Sequence, residues 1–75
     1  LDAGRIAREA GSPAAVNMVM LGAIAALVPS DLSLADLREA VLRRFPGELG
    51  RVNALALELG FKEAADKLRE QLKRE

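Results

Sequence analysis

Apolar and polar positions follow helical periods along most of the chain, but one segment is apolar throughout. Residues 13–28 carry no charge, and their only polar side chain is Asn17. Ser12 can cap a helix, Pro13 suits its first position, and Pro29 opposes its continuation. A surface helix would show a polar stripe, so we expect this helix to be buried on every side and to form the centre of the fold.

Four further segments have a mixed pattern of helical period and are bounded by residues that begin or end helices. Asp2 and Gly11 can begin and end the first helix, and Ser33 with Asp36 forms a weaker version of the capping box. Gly60 is expected to end the fourth helix. The sequence therefore predicts an all-α fold of four to five short helices packed around the apolar one. The predicted helices span about 2–10, 13–28, 33–45, 48–59 and 61–73.

The apolar helix contains most of the residues to which we assign packing roles. Met20, Ile24 and Leu27 are expected to form its core face. Gly22 belongs to a face of small residues, which favours close approach of another backbone and leaves a ligand groove as the alternative. The amide of Asn17 either bonds a neighbouring backbone group or lies near a cofactor or subunit boundary, since an unpaired buried amide is costly. The predicted packing residues are Asn17, Met18, Met20, Gly22, Ile24, Phe45 and Phe61.

The composition excludes several classes of functional site but does not identify one. The 75 residues hold eleven acidic and eleven basic side chains, which excludes a basic surface for nucleic acid. Without Cys or His the chain lacks a thiolate nucleophile, an imidazole base and iron–sulfur ligands, so we predict no catalytic, cofactor-binding or metal-binding residue. The absence of Cys is consistent with the cytoplasm. The apolar run falls short of the roughly 20 residues that span a bilayer.

Arg43 and Arg44 form a basic pair near the end of the predicted 33–45 helix. A solvated helix end, favoured by the helix dipole, explains them better than a phosphate clamp. A helix-turn-helix around the turn at 46–47 is disfavoured, because its second helix lacks the basic side chains of a recognition helix.

Two adjoining segments, 6–13 and 16–23, resemble the C-terminal part of the gamma subunit, or gamma domain, of 2-oxoacid:acceptor oxidoreductases. In that family a helix ending in Gly-Asn-Pro leads into an Asn-Met-Val-Met-Leu-Gly-Ala helix, which Asn17–Ala23 matches. The likeness covers about residues 2–63, and the tail lies outside it. A later family segment is echoed, with Phe in place of Tyr and one extra residue, by Asn53, Ala56, Gly60, Phe61 and Glu63.

The resemblance implies an enzyme that oxidatively decarboxylates a 2-oxoacid to an acyl-CoA and passes electrons to ferredoxin. It implies thiamine diphosphate and iron–sulfur clusters in partner subunits, and no catalytic residue carries over to this chain. The chain would be the helical C-terminal part of a larger α/β domain, with a structural role in the cytoplasm. The alternative is a freestanding helical protein–protein interaction module without catalytic activity.

A segment of a larger domain should have partners, which we expect to be the other subunits or the missing α/β part of the same oxidoreductase. A homo-oligomer is a further option, whereas neither nucleic acid nor a membrane is expected as a partner. Such a segment should leave an apolar face bare near Leu1, Ile6 and one side of the apolar helix.

Overall fold

The computed structural model describes residues 1–28, 31 and 33–74. No strand occurs among these residues, so the predicted all-α fold is confirmed. The predicted role of Pro29 in ending a helix lies outside the described residues. The elements are α1 (Ala3–Ala10), a 3₁₀ turn (Pro13–Ala15), α2 (Val16–Leu27), α3 (Leu34–Arg44) and α4 (Gly47–Arg74).

Helix α4 is the centre of the fold, because α1, α2 and α3 each pack against it. Helix α1 runs antiparallel to α4, and Arg5 lies 3.5 Å from Glu63 across the pair. Helix α3 is also antiparallel, with Arg38 paired to Glu58, whereas α2 runs parallel to α4. The prediction that the apolar 13–28 helix is the centre is therefore wrong. With 28 residues against 12, α4 rather than α2 is long enough to contact all the others.

The predicted break between a fourth and a fifth helix is also wrong, because α4 continues through Gly60. Among the described residues only Gly11 and Gly47 have positive φ, at 123° and 64°. Gly60 thus keeps an ordinary helical backbone and does not act as a left-handed helix end. Phe61 accordingly lies inside the same helix and is half-buried.

Helices α2 and α4 approach each other closely at two glycines. A Cβ atom placed on Gly22 would lie 2.9 Å from the carbonyl carbon of Leu57 and closer still to its oxygen. A Cβ atom placed on Gly60 would lie 2.9 Å from the carbonyl carbon of Val19 and again closer to the oxygen. Each helix therefore presents a glycine where it faces the main chain of the other.

The core is built mainly from small side chains. Among the residues that the structure describes, seven of the twelve buried apolar ones are alanines, and Ile6, Val19 and Leu57 are the largest side chains that are fully buried. Met18 packs against both of the hydrophobic clusters that make up the core. The molecule measures 43 × 28 × 12 Å. Its shortest dimension is little more than the distance between the axes of two packed helices, which is about 8–10 Å. Such a thin arrangement cannot enclose every apolar side chain.

Local hydrogen bonds begin the helices as the sequence predicts. The carboxylate of Asp2 accepts from the backbone N–H of Arg5 at 3.0 Å, and Ser12 accepts from that of Ala14 at 3.2 Å. Ser33 and Asp36 form the capping box, each side chain accepting from the backbone N–H of the other. These bonds satisfy N–H groups that have no partner within the helix.

Candidate functional site

The most prominent surface feature is one side of α2, which we call the outer face. The exposed fractions of Met20, Ile24 and Leu27 are 45%, 52% and 54%. Their spacing of four and three residues places them along one stripe of the helix. Leu27 also lines a pocket with Leu68 of α4, so this stripe borders α4 at its C-terminal end. Contiguous apolar patches on a protein surface often mark a site of contact with a partner. The outer face consists of Met20, Leu21, Ile24, Leu27 and Val28.

The outer face overturns the expectation that Met20, Ile24 and Leu27 form the core side of the helix. The side that faces α4 instead carries Val19 and Gly22, together with small alanines. Small residues occupy the side that faces α4, because the two backbones there are nearly in contact. The gap between them leaves no room for long side chains. Leu1 is also exposed, as expected, but Ile6 is buried, so that part of the expectation is wrong.

A cleft opens at the N-terminal end of the outer face, between α2, the end of α3 and the start of α4. Its volume is about 280 Å³. Asn17 and Asn53 lie in its wall although they are 36 residues apart in the chain. Asn17 is exposed rather than buried, so the expected buried amide is wrong, while Asn53 is half-buried. The cleft is lined by Ser12, Ala14, Ala15, Asn17, Met18, Phe45, Leu49 and Asn53.

Hydrogen bonding in the cleft leaves amide groups available. Asn53 donates from Nδ2 to the backbone oxygen of Leu49 at 2.7 Å, which orients the side chain and uses one of its N–H groups. Within the part of the chain that the structure describes, the Asn17 side chain makes no hydrogen bond. Its amide therefore faces solvent with both a donor and an acceptor to offer.

Charged side chains that the structure describes lie at the surface, where they form pairs within helices and between helices. The pKa of Asp2 is lowered, mainly by the hydrogen bond from the backbone N–H of Arg5. The pKa of Glu48 is lowered by its hydrogen bond with Arg51. Helix capping and pairing explain these shifts, and neither carboxylate is buried. The guanidinium of Arg44 lies over the ring of Phe45, 5.3 Å from its centroid.

A family model described as pyruvate ferredoxin/flavodoxin oxidoreductase matches residues 1–63. The chain belongs to this family. The match covers most of the 75 residues and confirms the resemblance at the level of the 2-oxoacid:ferredoxin oxidoreductases. No curated protein and no solved structure gave a significant match.

The matched part of this oxidoreductase segment contains the whole outer face and the whole cleft. The end of α4 lies beyond the match, and residues 66–74 are exposed throughout. The side chains of Leu68 and Leu72 are exposed on that end. Charged side chains there pair within the helix, as Arg74 does with Glu70 at 3.2 Å. Both candidate features thus lie in the part that the family shares.

The sequence contains neither Cys nor His, so it offers no thiolate or imidazole as a metal ligand. The described residues hold no group of three Asp or Glu side chains arranged to bind a metal ion. In the same residues, no helix is both long and apolar enough to cross a membrane.

The seven predicted packing residues differ in burial, and only some of them lie in helix contacts. Gly22 and Met18 lie in the helix contacts, Phe45 is half-buried against α4, and Phe61 is a half-buried residue of α4 itself. Asn17, Met20 and Ile24 point outward. A helical pattern carries no signal that would bring Asn53 and Asn17 into one cleft, so their joint position was not predicted from the sequence. The largest buried side chains, to which no packing role was assigned from the sequence, are Ile6, Val19 and Leu57.

Proposed function

We propose that the chain is the C-terminal helical segment of the gamma subunit of a 2-oxoacid:ferredoxin oxidoreductase. In this proposal it holds the rest of the gamma subunit through the outer face of α2 and takes no chemical step itself. The observation that carries the proposal is the outer face, an uncharged apolar stripe inside the segment that the family shares. The similarity of Asn17–Ala23 to the gamma subunit motif supports the choice of subunit.

The enzyme as a whole is proposed to convert a 2-oxoacid to an acyl-CoA and to pass the electrons to ferredoxin. Thiamine diphosphate and the iron–sulfur clusters are proposed to lie in other subunits, since this chain lacks thiolates and an acidic metal site among its described residues. A cytoplasmic location stays a prediction from the sequence.

Covering the outer face would contribute substantially to assembly. Full burial of an aliphatic or Met side chain stabilises by about 1.5–3 kcal/mol, and the side chains here are already about half-buried. The five residues together therefore account for roughly 4–7 kcal/mol of docking free energy before entropic costs. That contribution offsets part of the entropic cost of docking.

The test places a charge on the outer face by the change Ile24→Asp in the parent enzyme. Because Ile24 is half-exposed, the helical segment should keep its own fold, with a change within about 0.5 kcal/mol. The parent enzyme should unfold at a lower temperature or lose this segment's contacts, because docking would bury an unpaired carboxylate. Circular dichroism of the segment and thermal unfolding of the enzyme measure the two effects.

Leu72→Asp is the matched control, because it adds the same charge to an exposed leucine outside the family match. Unchanged melting of the enzyme with Ile24→Asp would contradict the docking role. Mass spectrometry of the separated subunits tests the subunit assignment. A segment found on the chain that carries thiamine diphosphate would exclude the gamma subunit.

A further inference from the structure

We propose that the cleft beside the outer face binds an extended main-chain segment of the parent oxidoreductase, held by the amides of Asn17 and Asn53. This inference rests on the proposed function, in which the rest of the enzyme covers the outer face. It adds a second, polar contact and names the chemical groups that make it.

Two amide side chains, those of Asn17 and Asn53, line the same cleft. An Asn side chain offers both a donor and an acceptor, as does each peptide unit of a main chain. Asn53 is half-buried and held by its bond to Leu49, and it keeps Oδ1 and one N–H for a partner. Asn17 lines the same cleft, is exposed, and makes no side-chain hydrogen bond to the described residues. Two such groups match the alternating N–H and C=O of an extended strand or loop.

None of the residues that line the cleft is charged, so it offers no counterion to a carboxylate, a phosphate or an ammonium group. A peptide main chain is neutral, yet it must pair its polar groups when it leaves water. The apolar remainder of the lining, including Met18, Phe45 and Leu49, suits the side chains of such a segment.

The cleft adjoins the outer face of α2. Asn17 precedes Met20 and Ile24 by three and seven residues, so it continues the stripe of the outer face. A polypeptide segment that covers the outer face can therefore continue directly into the cleft.

The occupant is identified by photo-crosslinking in the purified parent enzyme. A benzophenone amino acid replaces Leu49, which is 56% exposed at the rim of the cleft, and Ile24 in a second variant. Glu39, exposed on α3 and not among the lining residues, is the control position. We expect position 49 to crosslink to a single peptide of the enzyme outside these 75 residues, and position 39 to none.

Hydrogen exchange then tests the amides themselves. Asn17→Ala and Asn53→Ala should each speed exchange of the crosslinked peptide by about 3- to 10-fold, because each removes a hydrogen bond of the usual net strength. Glu39→Ala should leave that exchange unchanged. Both Asn changes are compatible with helices, since Ala is the strongest helix former, so folding is retained.

The outcomes separate this inference from the proposed function. Crosslinks from position 24 without any from position 49, or unchanged exchange in both Asn variants, overturn the cleft inference and leave the docking role standing. A crosslink from position 49 to a bound small molecule also overturns it. No crosslink from either position overturns both proposals.

Discussion

The contact between α2 and α4 at Gly22 can be tested by the smallest possible change, Gly22→Ala. On an open helix surface this substitution stabilises, because Ala is better than Gly in a helix by up to about 1 kcal/mol. Here the added methyl group would lie 2.9 Å from both the carbonyl carbon of Leu57 and the backbone nitrogen of Phe61. It would lie closer still to the Leu57 oxygen, which belongs to the main chain of α4.

The predicted magnitude follows from which atoms must move. A flexible side chain can rotate away from a new methyl group, but the backbone of α4 can yield only if the whole helix shifts. Overpacking of this kind costs about 1–3 kcal/mol. For a domain of 60–100 residues each kcal/mol lowers Tm by about 4–8 °C, so we expect a fall of roughly 5–20 °C. The sign is thus opposite to the expectation from helix propensity.

Gly4→Ala is the matched control, because Gly4 is also helical. Its added methyl group would meet only the end of the Arg8 side chain at 3.4 Å and the Asp2 carboxylate at 3.7 Å. We expect Gly4→Ala to leave Tm unchanged or to raise it. Thermal unfolding followed by circular dichroism at 222 nm, a wavelength that reports helix content, compares the two variants with the parent sequence.

A rise of Tm in Gly22→Ala comparable to that in Gly4→Ala would refute the close approach. The double variant with Gly60→Ala gives a further check, since Gly60 lies at the same crossing against Val19. Once one methyl group has separated the helices, the second should cost less. We therefore expect the two changes to be less than additive.

Two further predictions concern the core and the first helix cap. Leu57→Ala should lower the free energy of unfolding by about 2–5 kcal/mol, because Leu57 is fully buried. Leu49→Ala, at an exposed site, should change it by no more than about 0.5 kcal/mol. Urea titrations measure both values, and similar losses in the two variants would contradict the core assignment. The pKa of Asp2 lies below its ordinary 3.8, so its stabilising contribution is present above that pH and is lost as the pH falls through the lowered pKa. Asp2→Asn should flatten this acid loss of Tm, and an unchanged pH profile would argue against the cap.

The sequence by itself determined the local features of the fold. The caps at Asp2 and at Ser33 with Asp36 join groups only three residues apart, so the residue types and their spacing are enough to predict them. The all-helical class follows from the 3.6-residue period and the absence of alternating segments. The family could also be read from the sequence, because Asn17–Ala23 is a contiguous motif.

Only the tertiary structure decided which side of α2 is buried. A helix that is apolar all round has no polar stripe, and its sequence therefore carries no signal for the direction of the core. The contact with α4 selects the side of Gly22, since two backbones can approach there, and leaves Ile24 outside. The same contact explains Gly60, because a glycine at a helix crossing and a glycine at a helix end look alike in sequence.

The cleft was likewise decided by packing over long sequence separation. Asn17 and Asn53 belong to helices that meet only when α2 lies along α4. No local rule of capping, period or charge relates two residues 36 positions apart. Their proximity depends on how closely the glycines let the helices pack, which is a property of three-dimensional contact between backbones.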